Sequence, residues 1–360
     1  MTDITIVPVS DISLTINDGT SDIVLQIPQT SEIVINNSVG QGPAGLTGAT
    51  GNPGAAAFRN VLINGGMRVS KRATVFSNPT NGQYLIDRWR VGFNGTGATR
   101  SITQQLITGG ADIEGTLYFL RFDQTAAGTA ATQNDLQQRV EGVETLNGKT
   151  ITISFYARAN SNTTIRGASL QQNFGVGGST EVSTSIMGST LITTSWQRYV
   201  ATASLPNILS KTVGTSSYLQ LSLLMPLNTT FQVDITAVQL EGDSVASNFE
   251  KVPLALETTN CARFFQLSAP RDNFGISNTT TSGLMKGFFS TPMRVPPTAT
   301  LSVGNTITID FFGLGSSTST SYSLLTSVNV LSIDVNTLSP ARTAQIPIQS
   351  LTQISLDAEL

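Results

Sequence analysis

The chain has 360 residues, of which 39% are hydrophobic and only 12% are charged, so it can bury a core while its surface stays weakly charged. With a net charge of −3 and no run of 18 apolar residues, we expect neither nucleic-acid binding nor membrane insertion. The absence of histidine excludes Ser–His–Asp and Cys–His catalysis and histidine metal sites.

The first 39 residues alternate apolar and polar side chains, which is typical of short β-strands. The alternating positions are Ile4, Ile6, Ile12, Leu14, Ile16, Ile23, Leu25, Ile27, Ile33 and Ile35, and Asn17-Asp18-Gly19 is a turn signal between two of the runs. So short a segment rarely folds alone, so we expect residues 1–39 to pack on other copies or on a docking protein. The first 58 residues hold five acids and no Lys or Arg, which fits either an acidic plug for a basic socket or a solvated stalk.

Glycine recurs at every third position in the segment 40–57. The positions are Gly42, Gly45, Gly48, Gly51 and Gly54, with Pro43 and Pro53 between them. Three wound chains require glycine at every third residue because only a hydrogen atom fits at their shared axis. The pattern therefore predicts a short collagen-like triple helix and a homotrimer, with a flexible glycine-rich linker as the alternative.

Residues 58–250 contain repeated short apolar or alternating runs between turn clusters. The clearest are 115–122, 150–157, 196–201, 218–224 and 230–240. No long segment has a convincing helical period. Many short strands separated by Gly, Asn and Ser indicate a β-sandwich or jelly roll.

Residues 251–360 resemble a separate, smaller β-domain. A short helix is predicted over 254–265 after Val252-Pro253, and 316–321 is predicted to be a polar loop. Strands are predicted over 283–290, 298–303, 306–312, 322–330 and 330–335. From Leu301 onward charge is sparse, which indicates a surface covered by neighbouring chains. The fold class predicted for the chain is thus all-β throughout.

Several segments resemble a module of bacteriophage tail-fibre and virion structural proteins. They are RNVLINGGMRV at 59–69, DRW at 87–89, GKTITISFYAR at 148–158, WQRY at 196–199, DITAVQLEG at 234–242, FEKVP at 249–253 and CARFF at 261–265. That module is similar to carbohydrate-binding jelly rolls. The sequence departs from it at Gly66 and at Ser70-Lys71-Arg72-Ala73, and neither change puts the fold in doubt.

The resemblance implies a structural, non-enzymatic fibre of a phage virion, assembled in the host cytoplasm as an intertwined homotrimer. It divides the chain into a virion-attachment segment at 1–39, a collagen-like stalk at 40–57, a jelly roll at 58–250 and a C-terminal head domain at 251–360. The implied partners are a baseplate or tail protein at the N-terminus and a host cell-surface polysaccharide, with no cofactor. The alternatives are a capsid head fibre or decoration protein, and a tailspike depolymerase that works with carboxylates.

Few residues can be singled out as receptor contacts. The loop Arg271-Asp272-Asn273-Phe274 mixes polar groups with an aromatic ring and is our candidate, with an ordinary turn as the alternative. Trp89 and Trp196 could stack on sugars, but both lie in strand-like patterns, so we predict core positions for them.

The charged side chains suggest no catalytic site. Seven basic residues accompany only Asp87 within 59–100, and we expect them to pair with acids from elsewhere in the chain rather than with an anionic polysaccharide: Arg59, Arg68, Lys71, Arg72, Arg88, Arg90 and Arg100. The close carboxylate pairs Asp112/Glu114, Glu141/Glu144 and Glu241/Asp243 could in principle serve a glycosidase. We interpret them as solvated surface groups and predict no catalytic residue.

No calcium-loop signature is present, so the sequence leaves a metal site undecided. The single cysteine, Cys261, excludes an intrachain disulfide and is expected to be buried. Because Met1-Thr2-Asp3 begins no secretory signal pattern, we expect synthesis in a reducing cytosol.

Overall fold

The computed structural model describes residues 12–17, 22–27, 59–109, 113–269, 272–279, 281–301, 306–311, 315–336, 338, 347–350 and 352–360. The chain divides into two compact units, 1–55 and 56–360. In the first unit β1 (Ile12–Asn17) pairs antiparallel with β2 (Asp22–Ile27), as the alternating pattern predicts. The Asp18-Gly19 turn and the glycines of 42–54 lie outside the described residues, so the collagen-like helix stays a prediction.

The second unit begins with a β-sandwich made of a five-stranded and a six-stranded antiparallel sheet. A small pair, β9 with β12, lies beside them. The strands are β3 (Val75–Ser77), β4 (Trp89–Phe93), β5 (Thr99–Leu106), β6 (Tyr118–Ala126), β7 (Asn134–Glu141), β8 (Thr150–Ala159), β9 (Thr163–Ile165), β10 (Gly167–Asn173), β11 (Val182–Met187), β12 (Thr190–Ile192), β13 (Gln197–Ser204), β14 (Tyr218–Leu224) and β15 (Phe231–Glu241). The five-stranded sheet has the order β11-β10-β14-β7-β4, and the six-stranded sheet has the order β13-β8-β15-β6-β5-β3.

Alternation along the strands builds the core between the two sheets. Leu219, Leu221 and Leu223 of β14 point inward from one sheet, and Ile151 and Ile153 of β8 meet them from the other. Each buried side chain of this size contributes about 1.5–3 kcal/mol relative to exposure. Trp89 is fully buried in the same core, which confirms its predicted position. The prediction of a β-sandwich is thus confirmed.

A bulge in β15 allows the segment around Gly65, which precedes the first strand of the sandwich, to hydrogen-bond to β15 of the six-stranded sheet. The register of β15 with β8 shifts between Thr236 and Gln239, and Ala237 takes a φ of 51° there. Val238 donates its N–H to the carbonyl of Gly65 at 3.0 Å. A Cβ at Gly65 would lie 2.2 Å from the Val238 carbonyl oxygen, so this close approach requires glycine.

The second core of this unit lies between a seven-stranded and a three-stranded sheet, after the helix α1 (Leu254–Ala262). The strands are β16 (Phe265–Ser268), β17 (Phe274–Ser277), β18 (Gly283–Phe288), β19 (Thr298–Leu301), β20 (Ile307–Phe311), β21 (Gly315–Ser319), β22 (Tyr322–Thr326), β23 (Val330–Val335), β24 (Pro347–Ser350) and β25 (Ile354–Asp357). The orders are β21-β20-β24-β17-β18-β23-β22 and β16-β25-β19. Each strand predicted after residue 280 is matched by an observed strand, although β18 ends at Phe288 and β22 ends at Thr326, earlier than predicted.

Two sequence predictions in this region are corrected. The helix ends three residues earlier than predicted because Arg263 caps it and Phe265 already begins β16. The predicted polar loop at 316–321 is wrong, since β21 pairs with β20 along its length. Ser317 is buried in that strand. Because serine is polar, the hydrophobic pattern of the sequence did not identify this position as inward-facing.

An arginine–carboxylate cluster joins the end of the chain to the sandwich. Arg88 forms an ion pair with Glu359, and Arg72 lies 3.1 Å from Asp357 and 3.3 Å from Glu359. The guanidinium of Arg88 also lies 3.4 Å from the ring centroid of Phe264. Residues 56–360 form one compact unit. The predicted domain boundary at residue 250, between the jelly roll and the head domain, therefore stays a prediction.

The expectation that the basic stretch pairs with distant acids is confirmed for three of its members. Besides Arg72 and Arg88, Arg59 lies 4.0 Å from Asp243. Arg90 and Arg100 instead lie over the rings of Tyr84 and Phe93. Burial lowers the pKa of the Arg100 guanidinium, and at Arg90 the nearby Arg139 lowers the pKa further.

Candidate functional site

The outer face of the six-stranded sheet carries a row of charged side chains from three neighbouring strands. Arg121 in β6 lies opposite Asp234 in β15, and Asp234 lies opposite Arg158 in β8. Because Leu120 and Phe122 point into the core, the alternation of β6 turns Arg121 outward. The register of the sheet therefore brings together three side chains that are far apart in sequence.

Asp234 forms ion pairs with both arginines. Arg121 donates from Nε to Oδ1 at 2.8 Å and from Nη2 to Oδ2 at 3.0 Å, and Arg158 donates from Nε to Oδ2 at 3.0 Å. The Asp234 side chain is 3% exposed, whereas 30% of the Arg121 and 36% of the Arg158 side chain remain exposed. Burial raises the pKa of the neighbouring Asp123 carboxyl, and Arg121 opposes this. The hydrogen bonds hold both guanidinium groups in place while part of each faces solvent.

Trp196 lies immediately before β13 and packs on the same outer face. Its ring meets Phe119 edge to face with centroids 5.5 Å apart, and the Arg158 guanidinium lies 4.9 Å from its centroid. Trp196 is half-buried and belongs to neither hydrophobic core, so its predicted core position is wrong. A strand-like pattern reports alternation but not which of the two faces is the core, and β13 is an edge strand.

A pocket of about 300 Å³ opens beside these side chains. Arg121, Arg158 and Asp234 line it together with Ala159, Asn160, Thr194 and Gln232. Amide, hydroxyl, guanidinium and carboxylate groups can together donate and accept several hydrogen bonds at fixed angles. We call the pocket together with Trp196 and Phe119 the arginine–tryptophan pocket.

Sequence reasoning missed the charged members of the arginine–tryptophan pocket. Arg121 and Asp234 lie inside segments that were predicted to be strands, and Arg158 follows directly after the predicted strand 150–157. The signal that could have found them is a charged residue at an outward position in each of three strands. Without the strand order, nothing in the sequence says that these three strands are neighbours.

The predicted receptor loop is only partly described. Arg271 lies outside the described residues, Asp272 and Phe274 are exposed, and Asn273 is fully buried. Asp272 exchanges hydrogen bonds with Ala269, accepting from its N–H at 2.8 Å and donating to its carbonyl at 3.2 Å. A cavity of about 210 Å³ is lined by Asp272 and Asn273. The role of this loop as a receptor contact stays a prediction.

A second open cleft, of about 470 Å³, lies at one end of the inner strands β10, β14 and β7 of the five-stranded sheet. Tyr218 lines it, and the Arg139 guanidinium lies 4.2 Å from the Tyr218 ring centroid. Arg139 also donates from Nε to the Gln220 side chain at 2.9 Å and from Nη1 to the Leu360 carbonyl oxygen at 2.6 Å. Its aromatic and guanidinium groups make it a useful comparison for the arginine–tryptophan pocket.

Most members of the close carboxylate pairs noted in the sequence make structural contacts, whereas Glu144 is exposed as expected. Glu241 accepts hydrogen bonds from the N–H and hydroxyl of Ser247 at 2.9 and 2.8 Å and is buried. Glu141 lies 2.9 Å from Arg263, and Glu114 accepts from the Tyr156 hydroxyl at 3.1 Å. Asp112 lies outside the described residues. The expectation that these groups are simply solvated is therefore wrong for Glu241.

Among the residues that the structure describes, no three Cys, Asp or Glu side chains are grouped as a metal site would require. Within the same ranges no helix has the length and apolar character to cross a membrane.

No known protein-family model matches the chain, and no curated protein sequence matches it. Solved structures with similar folds include the enzymatically active domain of bacteriophage CBA120 tailspike protein 4, which is 17% identical with a TM-score of 0.34 and is matched over 51% of this chain and 21% of that chain. The chain thus spans about a fifth of the tailspike domain's length.

Two carbohydrate-binding modules are also among the similar structures. The family 11 module of Clostridium thermocellum, solved with a β-1,3-1,4-mixed-linked tetrasaccharide, is 12% identical with a TM-score of 0.29 and is covered over 96% of its length by 47% of this chain. The CBM22-2 xylan-binding domain of Paenibacillus barcinonensis is 18% identical with a TM-score of 0.29, at coverages of 45% of this chain and 94% of that chain. Likeness at this level assigns neither a family nor an activity.

Proposed function

We propose that this chain is the subunit of a trimeric virion fibre that attaches to a host surface glycan without cleaving it, and that the glycan binds in the arginine–tryptophan pocket. The observation that carries this proposal is Trp196, a half-buried ring beside a pocket of polar groups. Sugars combine apolar C–H faces with many hydroxyl groups. A glycan site therefore needs an aromatic platform next to several donors and acceptors.

The geometry of the pocket suits this chemistry. The Arg121–Asp234–Arg158 ion pairs fix the polar groups before a ligand arrives, so little conformational entropy is lost on binding. The volume of about 300 Å³ lies at the lower end of ligand pockets and favours one or two sugar units of a chain that continues into solvent. One such site is expected to bind weakly.

Trimerisation would compensate for weak individual sites. The repeat from Gly42 to Gly54 supports three wound chains, which would present three pockets to one polysaccharide. Linked sites raise the overall affinity through effective concentration without any new contact. In this proposal residues 1–39 attach the fibre to a baseplate or tail protein of the virion.

Titration of the full-length protein with polysaccharide from the host surface tests the site. Trp196→Ala should weaken binding at least tenfold, because a central aromatic contact typically contributes 2 kcal/mol or more. The matched control is Tyr218→Ala, which removes a half-buried ring beside Arg139 on the other sheet and should leave binding unchanged. Equal losses in both variants, or a loss only in the control, would contradict the assigned pocket.

The same incubation separates attachment from cleavage, since the length of the polysaccharide can be followed over time. Unchanged chain length is expected, and shortened chains would favour the depolymerase alternative. Antibodies against residues 1–39 on intact virions would distinguish a tail or baseplate position from a capsid head fibre or decoration protein.

A further inference from the structure

The outer face of the seven-stranded sheet is unusually apolar for a surface. Met285 and Ile333 point into the core, so their neighbours along β18 and β23 point outward. In the described part of 265–360, every large hydrophobic side chain that is exposed lies on this one outer face: Phe274, Ile276, Phe288 and Leu325. Single exposed hydrophobic residues are ordinary, but four on one face of the same sheet mark an interaction surface.

The exposure of these side chains is large. Phe288 is 81% exposed and Phe274 is 54% exposed. No other element of the described residues packs against this face, since the three-stranded sheet covers the opposite one. We call the outward residues of β17, β18, β22 and β23 the apolar face.

The outer face of the seven-stranded sheet also carries charges of both signs. β17, with Phe274, is the central strand of the seven. Lys286 in β18 and Asp334 in β23 point outward on one side of it, and Asp310 in β20 points outward on the other side. Lys286 forms no ion pair with any described residue, and Asp310 accepts a hydrogen bond from Gln349 at 2.8 Å. Because Lys286 and Asp310 lie on opposite sides of β17, a rotated copy of the face can place the ammonium group of one copy against the carboxylate of the next.

We propose that the apolar face is the interface between copies of this chain, in which one half of the face packs against the other half of the next copy around a three-fold axis. Contacts of this head-to-tail kind close into a ring when the rotation is 120°. Lys286 of one copy then meets Asp310 of the partner subunit, and Phe274 and Ile276 lie near the axis. The inference rests on the proposed trimer and adds the surface that forms it.

The partner of the apolar face is a second copy of this chain rather than a different protein, because the proposed triple helix already joins the copies. The same polypeptide carries the repeat from Gly42 to Gly54, which predicts a triple helix, and chains joined there would meet at a high effective concentration. Burial of Phe274 at this interface excludes its predicted role as a receptor contact, so the two assignments compete.

Native mass and trimer dissociation of the full-length protein test the interface. The double variant Phe274→Ser with Phe288→Ser should raise the trimer dissociation constant at least about a hundredfold, since burying each ring is equivalent to about tenfold or more. The control is Val176→Ser with Leu209→Ser, which removes two strongly exposed hydrophobic side chains elsewhere and should leave dissociation unchanged. Circular dichroism confirms that each variant folds.

A charge exchange provides an independent variant. Lys286→Asp should weaken the trimer, and adding Asp310→Lys should restore it. A trimer whose dissociation is the same in all variants would overturn the apolar face as the interface and leave the proposed trimeric fibre standing. A wild-type protein with the mass of one 38.0 kDa chain would overturn both.

Discussion

Two arginine–carboxylate clusters in this protein use the same groups in different surroundings. In the junction cluster, the side chains of Arg88 and Glu359 are 1% and 4% exposed, and Arg88 lies over the ring of Phe264. In the arginine–tryptophan pocket, Asp234 is as deeply buried, but both arginines keep about a third of their side chains exposed. Solvent access, rather than residue type, separates a structural ion pair from a surface available to a ligand.

Aromatic rings lie beside the arginines of both clusters, and the extent to which each ring covers its arginine differs. Phe264 closes the junction and excludes water from Arg88, which strengthens the ion pair and makes its loss expensive. Trp196 is half-buried, and Arg121 and Arg158 beside it remain partly exposed to solvent. An aromatic ring that covers an arginine completely stabilises the fold, whereas one that covers it partly leaves a place for another molecule.

The largest effect is expected at the junction cluster. Glu359→Ala should lower the free energy of unfolding by roughly 3–5 kcal/mol, because it leaves the buried Arg88 guanidinium without its carboxylate. Urea unfolding followed by tryptophan fluorescence measures the change. The double variant Arg88→Met with Glu359→Leu is the control and should cost clearly less than the single variant, since it leaves no buried charge at that position. A single variant as stable as the wild type would remove the difference between the two clusters.

A smaller stability effect is expected in the arginine–tryptophan pocket. Asp234→Asn should lower the free energy of unfolding by about 1–2 kcal/mol, because the partly exposed Arg121 and Arg158 can recover hydration when their ion pairs are lost. Polysaccharide binding should fall together with it, since both guanidinium groups lose their fixed positions. Unfolding and titration of the same preparation measure the two effects, and a loss as large as at Glu359 would contradict the comparison.

At a third buried carboxylate, Glu257, the effect of burial on the pKa outweighs the opposing effects of a backbone hydrogen bond and of the charge of Arg68. Glu257 accepts a hydrogen bond from the Asn64 N–H, and burial raises its pKa above the ordinary value near 4.5. Between the ordinary and the raised pKa the folded state binds more protons than the unfolded state, so the free energy of unfolding falls as pH rises through this window. The fall amounts to about 1.4 kcal/mol for each pH unit of the window.

Glu257→Gln should remove this part of the pH dependence while keeping an acceptor for the Asn64 N–H. Unfolding measured at several values between pH 4 and 7 gives the slope for both proteins. A slope unchanged by the substitution would mean that Glu257 is no more costly to ionise in the folded state than in the unfolded one.

The smallest effect is expected at a pair on the surface. Asp243 lies 4.0 Å from Arg59 and its side chain is 40% exposed, so Asp243→Asn should change the free energy of unfolding by no more than about 1 kcal/mol. Asparagine can still accept the hydrogen bond that Asp243 receives from the Ser244 N–H. Urea unfolding at low and high salt measures the change, and a loss above 2 kcal/mol would place this pair with the buried junction cluster.

The sequence predicted the strands well because alternation is a local property. Tyr218–Leu224 matches its predicted bounds, and Ile151 and Ile153 face the core as their spacing requires. The prediction failed where polar atoms hide burial, as at Ser317 in β21, which was taken to be part of a loop. For Trp196 the error was the opposite one: a core position was predicted and the residue lies on the outer face, because a strand pattern does not identify which face is the core.

The candidate site was harder to predict than the fold. Its three charged residues are placed together by the pairing of β6, β15 and β8, which is a long-range property of the sheet. The predicted receptor loop was chosen from composition alone, and composition cannot tell that Asn273 is fully buried while Phe274 lies on the apolar face.

The burial of Cys261 makes this chain convenient for chemical labelling. The thiol is fully enclosed at the end of α1, and burial raises its pKa well above the ordinary value, so little reactive thiolate forms near neutral pH. A cysteine introduced at a surface position will therefore react with a maleimide dye at that position alone, without first removing the native thiol. Single dyes placed in this way on the apolar face or beside Trp196 would report subunit contacts and ligand binding separately.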